Sequence, residues 1–251
     1  MKILVTYAVE AEFAPWRTLR NMEKITVGGV AAHRAQVGSA TVDFVATGIG
    51  MNNAHRAANA TISGEYSFCI VSGFAGALTP SCKVGEVVIP ATVQQPGSSH
   101  SVLTASSLLM DAGRDSAKRI QTLLTTDHLV SSAQEKQRLS SLGEAVDMES
   151  VEILGVARAK NVPAIAIRVI SDAFDGNLPA HLDTLVDAKG NVKIGGIVRY
   201  IAKNPRVLPA LLRLGRDSKT AATALANFLE AYIKKLAVST RPPELQEAAA
   251  R

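Results

Sequence analysis

The sequence predicts an α/β fold, a mixed and mainly parallel twisted sheet with helices on both faces. Three observations carry this prediction. Apolar runs of strand length alternate with longer segments of helical character. Hydrophobic residues make up 47% of the chain but aromatics only 4%, so the core is built from Ala, Val, Ile and Leu, which suits helices covering a buried sheet. The length, 251 residues, fits one large domain or one domain with an appendage.

Lys2-Ile3-Leu4-Val5-Thr6-Tyr7 reads as a buried first strand. Residues 8–20 follow as a helix, with Glu10 and Glu12 at its positive end and Pro15 early in it. Further strands are predicted at 42–47, 68–72, 86–89 and 164–170, with intervening helices at 53–62 and 149–160. Gly48, Gly50, Gly73 and Gly76 punctuate strand ends, where they permit tight turns or a close approach to a ligand. Neither run completes the three-glycine dinucleotide fingerprint and no Gly-Lys-Ser/Thr loop exists, which excludes a nicotinamide or ATP site. Residues 92–107, rich in Ser, Thr, Gln and Pro, read as a surface loop, and Gly190-Asn191 marks a turn. Residues 194–232 read as two or three helices broken by Pro205, Pro209 and Gly215. These readings divide the chain into a main domain at 1–193, a helical appendage at 194–236 and a disordered tail at 237–251.

Cys69 and Cys82 lack metal-ligand spacing, and Cys69 lies in an apolar run, so a buried reduced thiol in a reducing cytosol is expected. The apolar start meets Glu10 and Glu12 too soon for a signal peptide or membrane span. His33, His55, His100, His128 and His181 have no paired spacing, so no metal is expected. The net charge of +5 concentrates at 199–219, where Arg199, Lys203, Arg206, Arg213, Arg216 and Lys219 face only Asp217. With Tyr200 the sole aromatic there, nucleic acid is excluded in favour of an anionic surface.

Two acidic runs stand out. Ala-Val-Asp-Met-Glu-Ser at 145–150 puts Glu149 at the start of a helix, and Ile-Arg-Val-Ile-Ser-Asp at 167–172 puts Asp172 at the end of an apolar strand. Carboxylates at element ends converge on a cleft more readily than carboxylates scattered over helix faces.

These runs belong to a larger set. Ala-Val-Glu-Ala-Glu at 8–12, Gly-Ile-Gly at 48–50, Ser-Gly-Phe-Ala-Gly at 72–76, Val-Gly-Glu-Val-Val at 84–88, Val-Asp-Met-Glu at 146–149 and Arg-Val-Ile-Ser-Asp at 168–172 occur in that order. The set resembles the purine nucleoside phosphorylase and nucleosidase superfamily. Within it, the chain looks most like the 5′-methylthioadenosine/S-adenosylhomocysteine nucleosidases and their relatives, the futalosine hydrolases and hopanoid-associated nucleosidases. The resemblance implies a three-layer α/β/α phosphorylase-like fold with C-terminal helices, a homodimer, no cofactor, and cleavage of the N-glycosidic bond of a 5′-modified adenosine-type nucleoside. It implies that Asp172 protonates the imidazole-ring nitrogen of the leaving purine, that Glu12 orients or deprotonates water, and that Glu149 binds the ribose hydroxyls with Met148 against the sugar. Ser171 would orient Asp172, Arg168 would be a supporting charge, Gly73 and Phe74 would lie near the ribose or nucleophile, and His128 and Leu129 would line the base pocket.

The chemistry agrees with that assignment. Breaking an N-glycosidic bond passes through an oxocarbenium-like sugar, so a site needs an acid for the base, a group for the attacking oxygen and acceptors for the ribose hydroxyls. Phosphorolysis would instead need cations on the early loops, where this chain has Glu10 and Glu12; hydrolysis is favoured unless Arg34 or Arg56 reaches the site. A non-catalytic nucleoside-binding protein is the remaining alternative. Two departures bear on the 5′ substituent: Phe74 stands where relatives often carry Ser, and the segment at 91–107 is short and different. The basic and apolar 199–219 segment reads as a membrane contact, or as a helical lid or dimer contact with a solvated basic face.

Overall fold

The computed structural model describes residues 1–98, 101–105, 108, 117–179 and 208–239. In chain order the elements are β1 (Lys2–Tyr7), α1 (Glu10–Leu19), β2 (Glu23–Val27), β3 (Val30–Val37), β4 (Ala40–Ala46), α2 (Met51–Thr61), β5 (Phe68–Ala77), β6 (Val87–Gln94), β7 (Ser101–Leu103), β8 (Lys118–Thr125), α3 (Ala133–Leu139), β9 (Ala145–Asp147), α4 (Ser150–Ala159), β10 (Ala164–Asp172) and α5 (Leu208–Ser239).

The strands form one mixed sheet in the order β10-β6-β8-β9-β5-β1-β4-β3-β2, with β7 alongside β6. Its centre is parallel: β4, β1, β5 and β10 run the same way. Strand β10 also pairs antiparallel with β6, so β5, β9, β8, β6 and β10 close into a ring while β1, β4, β3 and β2 extend as an open wing.

Strand periodicity sorts the side chains to two faces. Ile3 and Val5 point to one core, with Phe13 and Trp16 of α1 and Leu225, Leu229 and Leu236 of α5. Leu4 points to the other, with Ala54 and Ala58 of α2 and Val151 and Leu154 of α4. Each fully buried Leu, Ile or Val contributes about 2 kcal/mol by its removal from water. The architecture is therefore helices, sheet, helices, the three layers expected. Cys69 and Cys82 are buried free thiols.

Several boundaries differ from the sequence reading. Strand β5 does not stop at Ser72 but runs through Gly73 and Gly76 to Ala77. The stretch read as a loop from residue 92 begins as strand: Thr92, Val93 and Gln94 pair with both β7 and β8, because Val93 and Val102 supply buried positions that the surrounding hydroxyl and amide residues mask. Strands β2, β3, β8 and β9 and helix α3 were not foreseen.

Helix α5 is continuous over 32 residues, about 48 Å, through both Pro209 and Gly215. Pro209 falls in its first described turn, where a missing amide N–H costs nothing, and Gly215 costs only about 1 kcal/mol. The C-terminal half outweighs that. Its stripe of Ala221, Leu225, Leu229, Tyr232, Ile233 and Leu236 is buried, Arg20 of α1 forms a two-pronged ion pair with Glu230, and Tyr232 Oη donates to Leu108 O at 3.1 Å. The helix also runs past position 237, where the tail was expected to begin, because Ala237 is still core. The turn at Gly190-Asn191, residues 194–207 and the tail from 240 lie outside the described residues.

Candidate active site

The site is built where α1, α4 and β10 meet the middle of β5. Glu12 sits in the first turn of α1, and its carboxylate folds back over the helix start. Oε2 accepts the N–H groups of Ala8 (2.7 Å) and Val9 (3.2 Å), and Oε1 accepts that of Phe74 (2.8 Å). This ties the end of β1 to β5 and satisfies two amides that a helix start leaves unpaired. The carboxylate is buried, which pushes its pKa above the ordinary value, with Arg168 and the three amides opposing.

Arg168, on β10 and 1% exposed, is the hub. Nη2 meets Asp147 Oδ2 at 2.6 Å, Nε and Nη2 donate to Ser150 Oγ, and Nη1 donates to Ser72 O at 3.2 Å while lying 4.0 Å from Glu149 Oε2. Asp147 is held in turn by Thr125 Oγ1 at 2.7 Å and by the amide of Ser150. Glu149 occupies the position just before α4 and accepts the N–H of Gly50, at the start of α2, at 2.8 Å. Burial pushes Glu149 up to about 7; Arg168 opposes this, and the negative Asp147 adds to it.

Asp172 ends β10. Its Oδ1 accepts from Ser171 Oγ at 2.9 Å, and its Oδ2 is ion-paired with Lys136 of α3, which also donates to Ala173 O at 2.7 Å. Lys136 is completely buried.

The glycines of β5 have a reason to be inside the strand. A Cβ on Gly73 would lie 2.3 Å from Arg168 Nη1 and 2.8 Å from Glu12 Oε1, and one on Gly76 would lie 3.0 Å from Asp172 Oδ2. The close approach anticipated for a ligand is made by the protein's own charged side chains. Gly76 lies three positions beyond Gly73, so the points where Glu12 and Asp172 approach β5 are about 10 Å apart along the strand.

Of the residues singled out in the sequence, Glu12, Glu149, Arg168 and Gly73 form one cluster, and Asp172 with Ser171 stands beside it along β5. Phe74 supplies its amide to Glu12, while its half-buried ring packs with the α1 and α5 core. Met148 is half-buried between Asp147 and Glu149, and Leu129 is half-buried after β8. His128 is not brought to the carboxylates. Its ring is 59% exposed on the outer flank of α3, between Asp127 and Glu135 at 2.7 Å each, and those acids raise its pKa. Glu10 is also outside the cluster, paired with Arg17. Arg34 is committed to Asp43 through two hydrogen bonds, and Arg56 donates to Asn53. Asp147 stood inside the Val-Asp-Met-Glu motif and was given no role; Lys136 had no signal beyond being a lysine in a polar helix.

The sequence model of the Phosphorylase superfamily matches residues 2–199. The chain belongs to that superfamily. A phosphorylase-superfamily relative, the 5′-methylthioadenosine/S-adenosylhomocysteine nucleosidase of Buchnera aphidicola subsp. Schizaphis graminum, is 24% identical over 230 residues, which cover 81% of this chain and 97% of the relative. Two solved structures from Helicobacter pylori share the fold. A 5′-methylthioadenosine/S-adenosylhomocysteine nucleosidase in complex with a pyrrolidinol ligand superposes with a TM-score of 0.72 at 20% identity, covering 94% of this chain and 98% of that one. A futalosine hydrolase mutant superposes with a TM-score of 0.71 at 19% identity, covering 94% and 99%. In this superfamily member, no three His, Cys, Asp or Glu side chains among the described residues are grouped to hold a metal ion. Nor is any helix among them long and apolar enough to cross a membrane.

Proposed function

We propose that the protein hydrolyses the N-glycosidic bond of a 5′-modified adenosine-type nucleoside and releases the purine. The observation that carries this reading is the surroundings of Glu12. An ionised carboxylate offers about four acceptor positions, and backbone amides take three here, which leaves one for a water molecule. The nearest cation, Arg168, is already engaged by Asp147. An acid cluster with its cation so matched repels a phosphate dianion and accommodates water.

In this reading Asp172 gives a proton to the imidazole-ring nitrogen of the departing base, and Ser171 fixes its carboxylate. Glu12 orients the water and takes its proton as the oxygen attacks C1′. Glu149 accepts the ribose hydroxyls, with Met148 against the sugar, and the negative charge of Glu12, joined by that of Glu149 as the pH rises through about 7, stabilises the cationic sugar of the transition state. Loss of acid or base catalysis at such positions reduces rates by about 10²–10⁴. Asp172→Asn and Glu12→Gln should therefore each lower turnover at least ~100-fold in folded protein; near-normal turnover in either would remove that residue from the mechanism.

The 5′-modified substrate class is supported by the names of the Buchnera relative and the Helicobacter neighbours. A lipid-linked 5′ substituent is supported by the N-terminal half of α5, where Leu208 and the 66%-exposed Leu212 stand among exposed Arg213, Arg216 and Lys219. That surface combines apolar anchors with positive charge, as a helix lying on an anionic membrane does. The active form is read as a homodimer.

Adenine release should be measured from adenosine, 5′-methylthioadenosine and an adenosine with a long 5′-alkyl chain, each with and without phosphate. The expected result is phosphate-independent release, fastest from the alkyl compound. Dependence on phosphate would make the protein a phosphorylase; binding without release from any of the three would make it a nucleoside-binding protein.

A further inference from the structure

We propose that Lys136 is the proton source behind Asp172, a positioning residue that acts on the substrate only through that carboxylate. The inference rests on the nucleosidase reading above. It starts from an oddity of α3: of the seven residues of this short helix, the only buried one is its lysine. Amphipathic helices bury apolar side chains, and an ammonium taken out of water is strongly destabilising unless it is paired and hydrogen-bonded. Lys136 meets that condition with Asp172 Oδ2 and Ala173 O.

The surrounding structure holds this pair in place. Ser132 caps α3 by accepting the amide of Glu135 at 3.2 Å. The chain leaving β10 is pinned to the same helix, with Leu178 N–H donating to Ser131 O at 2.8 Å and Ala133 N–H to Asn177 Oδ1 at 2.8 Å. The burial is also asymmetric: the lysine side chain is 0% exposed and the aspartate 13%. The cation is the more deeply covered partner, and the acid lies against Gly76 of β5.

This order answers a difficulty in the proposed reaction. An aspartate that protonates a leaving base has to be resupplied, and the Lys136 ammonium stands directly against its Oδ2. As the C1′–N bond breaks, its electron pair passes into the purine. Lys136 Nζ transfers a proton to Asp172 Oδ2, and the carboxylic acid so formed gives a proton to the ring nitrogen. A neutral amine and a carboxylate remain. The attacking water contributes hydroxide to C1′ and its other proton to Glu12. One proton therefore leaves at Lys136 and one enters at Glu12, and both groups return to their resting forms through solvent once the products leave.

The test compares two leaving groups on the full-length protein: a purine nucleoside that the wild type cleaves, and 4-nitrophenyl β-D-ribofuranoside, whose phenolate departs without a proton. Lys136→Met removes charge and proton; Lys136→Arg keeps charge and hydrogen bonds but does not give up a proton at working pH. Both should lose about 100-fold or more in kcat on the purine nucleoside with KM little changed, while nitrophenyl riboside cleavage stays within about threefold of wild type. Wild-type purine turnover in either variant would overturn the proposal, as would equal losses on both substrates, which would mark a structural role. Should the single variants misfold, Lys136→Met/Asp172→Asn leaves no unpaired buried charge. It should match Asp172→Asn on the purine substrate, and a further tenfold loss would overturn the relay. A wild-type protein that cleaves neither substrate would instead end the nucleosidase reading, and Lys136's role with it.

Discussion

At the scale of single residues, the site depends on charges held under cover, and its behaviour with pH follows. Burial lifts Glu149 to about 7 from an ordinary 4.5, so the folded protein keeps a proton that the unfolded chain releases. The stability contributed by that proton is complete below about 4.5 and is lost as the pH rises through 7. Between pH 5 and 8 the wild type should lose on the order of 3 kcal/mol of unfolding free energy from this residue. Denaturant titrations should show a shallower decline for Glu149→Gln, though not a flat one, because Glu12 shifts in the same direction; superimposable profiles would rule this origin out. Gly73→Ala tests the close approach on β5. The added Cβ would strike Arg168 and Glu12, and φ is +146° there, a conformation that side chains rarely adopt. A loss of about 2–4 kcal/mol is expected, with turnover falling further than stability alone explains; a fully active Gly73→Ala would show that the two side chains move aside freely. Glu149 and Asp172 stand out in the sequence by their apolar flanks, whereas Glu12 and Arg168 are pointed to only by the family resemblance of their motifs. Lys136 was not legible, since its burial is decided by a carboxylate 36 residues further along the chain. For His128, too, no local pattern displays the pairing with Asp127 and Glu135 that holds its exposed ring.

At the scale of elements, α5 has two halves with different duties. Leu229 is buried in the core shared with α1, whereas Leu212 is exposed. Leu229→Ala should cost about 2–5 kcal/mol in a denaturation experiment, and Leu212→Glu should stay within about 0.5 kcal/mol of wild type. A large loss at Leu212 would mean that the exposed half is packed in solution, as a lid or dimer contact would require. The strands read from sequence, β1, β4 and β10, are apolar at most positions, with Asp43 in β4 and Arg168 in β10 as interruptions. Strands β2, β3 and β8 were missed because charged and polar residues interrupt them, as in Val-Ala-Ala-His-Arg-Ala-Gln-Val of β3, and pairing with neighbours settles their state. Strand β5 was cut short at Gly73 because glycine weakens any strand assignment. What keeps it extended is pairing to β10 along its length, which no local pattern displays.

At the scale of the whole molecule, the three layers were legible and the ring was not. Alternating apolar segments announce helices on both faces, but the second pairing of β10, which closes the ring, brings Arg168 beside Val88 and depends on contacts remote in sequence. Removing residues 208–251 should uncover the face formed by Ile3, Val5, Phe13 and Trp16. Such a truncation is expected to bind a dye for exposed apolar surface and to aggregate; a soluble monomer with native unfolding behaviour would show that α5 is dispensable. The shared core of β1 and α5 also sets a timetable for the growing chain. Ile3 is made well before Leu236, with which it shares a core, and at about 5–20 residues per second the interval lasts roughly ten to fifty seconds. For that interval the nascent protein carries a half-finished wall of leucine, valine and aromatic surface, and its yield in the cell depends on what shields that wall until α5 arrives.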